Sequence, residues 1–99
     1  MYSLTARVPT PNGAKYVMQL CKHWGHKLEV WQEGNEGRVT FPTGQATMRA
    51  EAEMLLVTVS AAGGEEAERL AQVVARHLDR FAFREAPLPF GWSPGAEAG

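Results

Sequence analysis

The chain has one cysteine, almost no net charge and no apolar run long enough to enter a bilayer as a helix. A single thiol, Cys21, cannot close an intramolecular disulfide, so the fold has to rest on a hydrophobic core. A helical membrane span needs about 20 predominantly apolar residues, and no segment approaches that length, so no membrane partner is expected. Ten basic residues against eleven acidic ones leave a net charge of −1, which supplies no global field to attract nucleic acid. Residues Met1 to Val8 have neither the basic start nor the continuous apolar stretch of an export signal, and the cytoplasm is the expected location. There is no GxSxG elbow, P-loop, GxGxxG after a strand or HExxH helix. Hydrolase, nucleotide-binding and zincin chemistry therefore lack motif support, and a non-catalytic role is expected over an enzymatic one.

What is present is alternation between the two secondary-structure periods. Leu4, Ala6 and Val8 alternate with Ser3, Thr5 and Arg7, the pattern of a half-buried strand over Tyr2 to Val8. Thr10-Pro11-Asn12-Gly13 supplies capping residues and a proline suited to a first helical turn. From Ala14 to Trp24 the residues Val17, Leu20, Cys21 and Trp24 then share one helical stripe. Gly25 is the expected stop, in the left-handed conformation that glycine adopts without a Cβ penalty. Beyond it His26, Leu28 and Val30 alternate with Lys27, Glu29 and Trp31 as a second strand. Polar turn formers over Gln32 to Gly37 predict a reversal into a strand over about Arg38 to Phe41. Two further strands follow at Gln45 to Ala50 and Met54 to Ala61. Glu65 and Glu66 mark the start of a second helix, whose stripe is Leu70, Val73, Val74, His77, Leu78 and Phe81. After Glu85, Pro87, Pro89 and Pro94 forbid further helix, with Leu88, Phe90 and Trp92 as anchors for the segment.

At 99 residues the chain accommodates one core. The expected architecture is an α+β two-layer sandwich: an antiparallel sheet of about five strands, in the order strand, helix, four strands, helix, with both helices on one face. Residues 1–92 form the single domain and 93–99 a flexible tail.

The stretch richest in chemistry is Cys21-Lys22-His23-Trp24-Gly25-His26-Lys27. Cysteine and histidine are ligand types for zinc, iron and copper. On a continuous helix, however, Cys21 and His23 point about 200° apart, so Cys21 and Trp24 read as core. His23 flanks the stripe beside Tyr16. His26, on the same face as Leu28, would need a hydrogen-bond partner if buried. His77 interrupts the apolar stripe of the second helix, where it serves either as a core histidine bonded to a main-chain carbonyl or, together with His23 and His26, as part of a three-histidine site for a transition metal or a haem axial ligand. Arg76, Arg80 and Arg84 at four-residue spacing predict a basic ridge, which with Lys22 and Lys27 suits an anionic ligand or an acidic partner, or is simply a solvated face.

The run Ala6-Arg7-Val8, Asn12, Tyr16, Gln19-Leu20-Cys21-Lys22-His23-Trp24 and His26-Lys27, followed by His77-Leu78 and Arg80-Phe81-Ala82-Phe83-Arg84-Glu85, resembles the bacterial domain-of-unknown-function family twenty-two-eighteen over about residues 3–85. That family has no established activity. Some similar members occur beside or fused to siderophore-interacting flavoproteins, so the resemblance implies a link to iron handling and a siderophore-interacting or other protein partner. The matching ligand-binding positions are His23, His26 and Lys27 from the first motif, and His77, Arg80 and Arg84 from the second.

The expected function is a cytoplasmic, non-catalytic binding module in iron or siderophore metabolism, with its pocket between the helices or at the Gly25 junction. Two alternatives stand beside it: a small enzyme with His23 or His26 as acid-base group, and a homodimeric interaction domain in which Trp31, alternating away from the core, marks the interface.

Overall fold

The computed structural model describes residues 2–82, 84–85, 88 and 90–94. Its elements are β1 (Tyr2–Pro9), α1 (Gly13–Trp24), β2 (Glu29–Glu33), β3 (Glu36–Phe41), β4 (Gly44–Glu51), β5 (Met54–Ala61), α2 (Gly64–Phe81) and β6 (Ser93–Pro94). The six strands form one antiparallel sheet in the order β2-β3-β4-β5-β1-β6. The α+β class, the four-strand meander and the two helices are as expected. The sixth strand is the short β6, whose Pro94 and Ser93 lie opposite Leu4 and Thr5 of β1. It uses the first two residues of the expected tail, while residues 95–99 and Phe83 lie outside the described residues. Among the described residues no helix is long and apolar enough to cross a membrane.

Strand alternation decides which face is covered. Leu4, Ala6 and Val8 of β1, Ala46, Met48 and Ala50 of β4, and Leu55, Val57, Val59 and Ala61 of β5 are all buried under the helices. α1 contributes Tyr16, Val17, Leu20, Cys21 and Trp24 to this core, and α2 contributes Ala67, Leu70, Ala71, Val74 and Leu78. Each fully buried Leu or Val side chain stabilises the fold by about 1.5–3 kcal/mol. α1 lies over β2 to β4 and α2 over β1, β4 and β5. Gly37 lets α1 approach β3: a Cβ there would stand 2.6 Å from Cys21 Sγ. After α2 the chain returns to the core at buried Leu88, whose N–H donates to Asp79 Oδ1 at 3.0 Å. Phe90 and Trp92, both half-buried, stack with ring centroids 5.6 Å apart.

Two local expectations are corrected. The reversal after β2 needs only Gly34 and Asn35, because pairing continues through Gln32 opposite Gly37 and Glu33 opposite Glu36. Gly34 has φ +60° and no non-glycine residue has positive φ among the described residues, which is the backbone pattern of a tight type II′ hairpin turn. Gly25, in contrast, is right-handed helical (φ −62°, ψ −15°). The N–H groups of Lys27 and Leu28 both reach back to Trp24 O, at 3.0 and 2.8 Å. The chain therefore keeps turning, β2 begins at Glu29, and His26 sits in an exposed turn instead of on a strand face.

Candidate functional site

α1 and α2 lie side by side on the sheet, and the candidate chemistry sits along the seam between them. The stripe of α2 divides by depth: Leu70, Val74 and Leu78 are buried, while Val73, His77 and Phe81, spaced four apart, are half-buried along the edge next to α1. On α1, Tyr16, Gln19 and His23 fall within one helical face at 100° per residue. These two rows meet. The His23 ring lies 5.3 Å from that of His77 and 5.7 Å from that of Phe81. Trp24 lies 5.1 Å from His77 and 5.2 Å from Phe41. One end of the seam is thus two imidazoles set among three aromatic rings.

Their protonation is shaped by their surroundings. His77 Nδ1 is 2.8 Å from Val73 O, a distance that suits an Nδ1–H donor to the carbonyl. In the neutral ring this leaves the lone pair on Nε2. The pKa of His23 is lowered from its ordinary 6.5, first by desolvation and then by the positive charge of His77, Arg80, His26 and Lys27. The neutral, ligand-competent form of His23 therefore persists to lower pH than in a free imidazole.

The residues singled out in the sequence are distributed accordingly. His23 and His77 are brought together, with Arg80 and Lys27 near enough to act on His23 electrostatically. His26 acts on His23 in the same way from its exposed turn. Among the described residues no group of three or more His, Cys, Asp or Glu is arranged to hold a metal ion. Cys21 is buried and free, and burial raises its pKa, so it belongs to the core as expected. The basic ridge is shorter than expected, because α2 ends at Phe81 and Arg84 lies beyond the helix.

At the other end of the seam is a cluster built on a carboxylate instead of on imidazoles. Glu85 Oε2 accepts hydrogen bonds from Thr10 Oγ1 at 3.0 Å, Asn12 Nδ2 at 3.1 Å and the Tyr16 hydroxyl. Thr10 Oγ1 also accepts from Asn12 N–H at 3.1 Å. Hydrogen bonds from Tyr16 and Asn12 lead in lowering the Glu85 pKa. That of Tyr16 is raised by burial and by the adjacent carboxylate. Asn12, Lys15, Tyr16, Phe81, Arg84 and Glu85 line a cleft of about 350 Å³, so Phe81 belongs to both ends. Asn12, Tyr16 and Glu85 all stand in the family-like motifs. The signal was there, but spacing alone does not join positions 12 and 85. Between the ends, on the same face of α1, Gln19 Oε1 is buried and has no hydrogen-bond partner among the described residues.

A family described as an uncharacterized protein conserved in bacteria (DUF2218) matches residues 5–93. Among solved structures, the NMR structure of PA4090 from Pseudomonas aeruginosa is similar with a TM-score of 0.82 and 33% identity, covering 95% of this chain and 97% of that one. No curated protein matches.

Proposed function

We propose that this chain, which belongs to the DUF2218 family of uncharacterised bacterial proteins, is a cytoplasmic, non-catalytic binding module that takes a transition metal at the imidazole end of the α1–α2 seam. The observation that carries the reading is the bond of His77 Nδ1 to Val73 O, 2.8 Å long. Metal-ligating histidines characteristically donate their other ring N–H to a carbonyl or carboxylate, which fixes the tautomer and orients the ring. The spacing supports it. With metal–nitrogen bonds of about 2.0–2.1 Å and a further ~1.1 Å to each ring centre, a tetrahedral angle sets two ligand rings about 5 Å apart. His23 and His77 stand at 5.3 Å.

His23 and His77 supply two nitrogen donors; no third His, Cys, Asp or Glu joins them among the described residues, which leaves the remaining coordination positions to water or a bound ligand. Gln19 Oε1, an acceptor on the same helix face with no partner among the described residues, suits a metal-bound water or ligand donor. The siderophore-interacting neighbours implied by the family resemblance give the reading its context in iron metabolism, with such a protein as the partner.

Calorimetric titration with zinc(II) and copper(II) tests it, with haemin titrated separately because haem iron also accepts an axial imidazole. One saturable site per chain is expected, weakened at least about tenfold by His77→Ala or His23→Ala. Because the His23 pKa is lowered, this ligand stays neutral to lower pH than a free imidazole, and affinity should fall as acidification protonates it. Binding that both substitutions leave unchanged, or no binding by any of the three probes, overturns the reading.

A further inference from the structure

Both helices lie on one face of the sheet, and among the described residues no helix covers the opposite face. Its cross-strand rows follow from the register. One row runs Trp31, Arg38, Thr47, Thr58, Thr5, Ser93, and the next runs Glu33, Glu36, Arg49, Leu56, Arg7. Direct contacts place these side chains on the same surface. The Arg38 guanidinium lies 5.4 Å above the Trp31 ring, and Thr5 and Thr58 share a hydrogen bond of 3.2 Å.

We propose that this open face is a homodimer interface, closed by a second copy of the chain in a face-to-face sandwich. Three observations favour a second copy over any other occupant. The first is charge. The β2–β3 side carries Glu29, Glu33 and Glu36 against one arginine, Arg38, while β1 carries Arg7. A twofold axis along the strands between β4 and β5 keeps each row in place and reverses its order. Glu36 then comes opposite Arg7 of the second copy, twice per dimer, and Arg49 opposite its Leu56.

The second is desolvation. Four of the small hydroxyls of the face pair off, Ser3 with Ser60 at 2.9 Å and Thr5 with Thr58 at 3.2 Å. Each pair satisfies one O–H donor internally, which lowers the cost of taking this part of the face out of water.

The third is fit and area. Trp31 is 42% exposed and stands at the rim of a groove of about 300 Å³ floored by Leu56 and Thr58. Tryptophan and arginine are the residue types that anchor interfaces. With strands about 4.8 Å apart and about 3.3 Å per residue, the six strands present roughly 600 Å². Two such faces bury at most roughly 1,200 Å², the lower end for a specific interface.

Sedimentation equilibrium of the full chain across about 1 μM to 1 mM tests the proposal. The wild type should pass from monomer to dimer. Arg7→Glu and Glu36→Arg should each raise the dissociation constant at least about tenfold. The double variant Arg7→Glu/Glu36→Arg restores both ion pairs with reversed sign and should recover most of the loss. Circular dichroism confirms that each variant is folded. A wild type monomeric throughout, or a folded double variant no tighter than the single ones, overturns the interface.

Discussion

The two ends of the α1–α2 seam hold polar side chains in opposite ways. At the Glu85 end three donors from the β1–α1 region converge on one carboxylate oxygen that arrives from beyond α2. Residues about 70 positions apart in the chain are thereby tied together, and the donors are consumed within the protein. At the His23 end the imidazoles touch other rings, and among the described residues the one hydrogen bond to the pair is that which fixes His77 to its own helix. The first arrangement holds the structure together. The second leaves ring nitrogens available to something else, which is what separates a tether from a site.

Stability measurements can break that contrast, and the largest effect belongs to the tether. Glu85→Ala leaves Thr10, Asn12 and Tyr16 without their acceptor and should cost about 3 kcal/mol in urea unfolding, since hydrogen bonds to a charged group contribute ~1.5–3 kcal/mol each. The Glu85 pKa is lowered in the folded protein. Its contribution is therefore complete above the unfolded value of 4.5 and is lost as pH falls through the folded value, and Glu85→Ala should remove that acid-side slope. A loss under ~0.5 kcal/mol would make the cluster incidental.

Tyr16→Phe removes one of the three donors from a buried ring and should cost about 1.5 kcal/mol. A cost equal to that of Glu85→Ala would mean that the other two bonds contribute nothing. The smallest effect is expected at the opposite end, where exposed His23→Ala should change stability by no more than ~0.5 kcal/mol while weakening metal binding. A large loss of stability there would turn the imidazole end into a second tether and dissolve the comparison.

Much of the fold was legible because burial imposes a period. Alternation in β1 and the stripes of α1 and α2 pick out residues that are buried, and Cys21 and Trp24 lie in the core as expected. Errors arose where a local rule met a wider constraint. Gly25 suggested a left-handed stop, but Lys27 and Leu28 continue the turn by bonding back to Trp24, which moved His26 off the strand. The arginine spacing assumed a helix reaching Arg84, whereas the helix ends at Phe81. At the site, Asn12, Tyr16 and Glu85 all stand in the family-like motifs, but a metal-ligand pattern is recognisable by residue type and a shared hydrogen-bond acceptor is not.

The sequence by itself determined the α+β class, the two helices, the antiparallel meander and the sidedness of β1 and β2, because each follows from contacts between near neighbours repeating at a period of 2 or 3.6. Only the tertiary structure decided that β1 inserts between β5 and β6, that His23 meets His77, and that Glu85 closes on Thr10, Asn12 and Tyr16. These are pairings across 50 to 90 residues of chain, and their partners are chosen by how two helices settle on a common sheet, a choice no local pattern encodes.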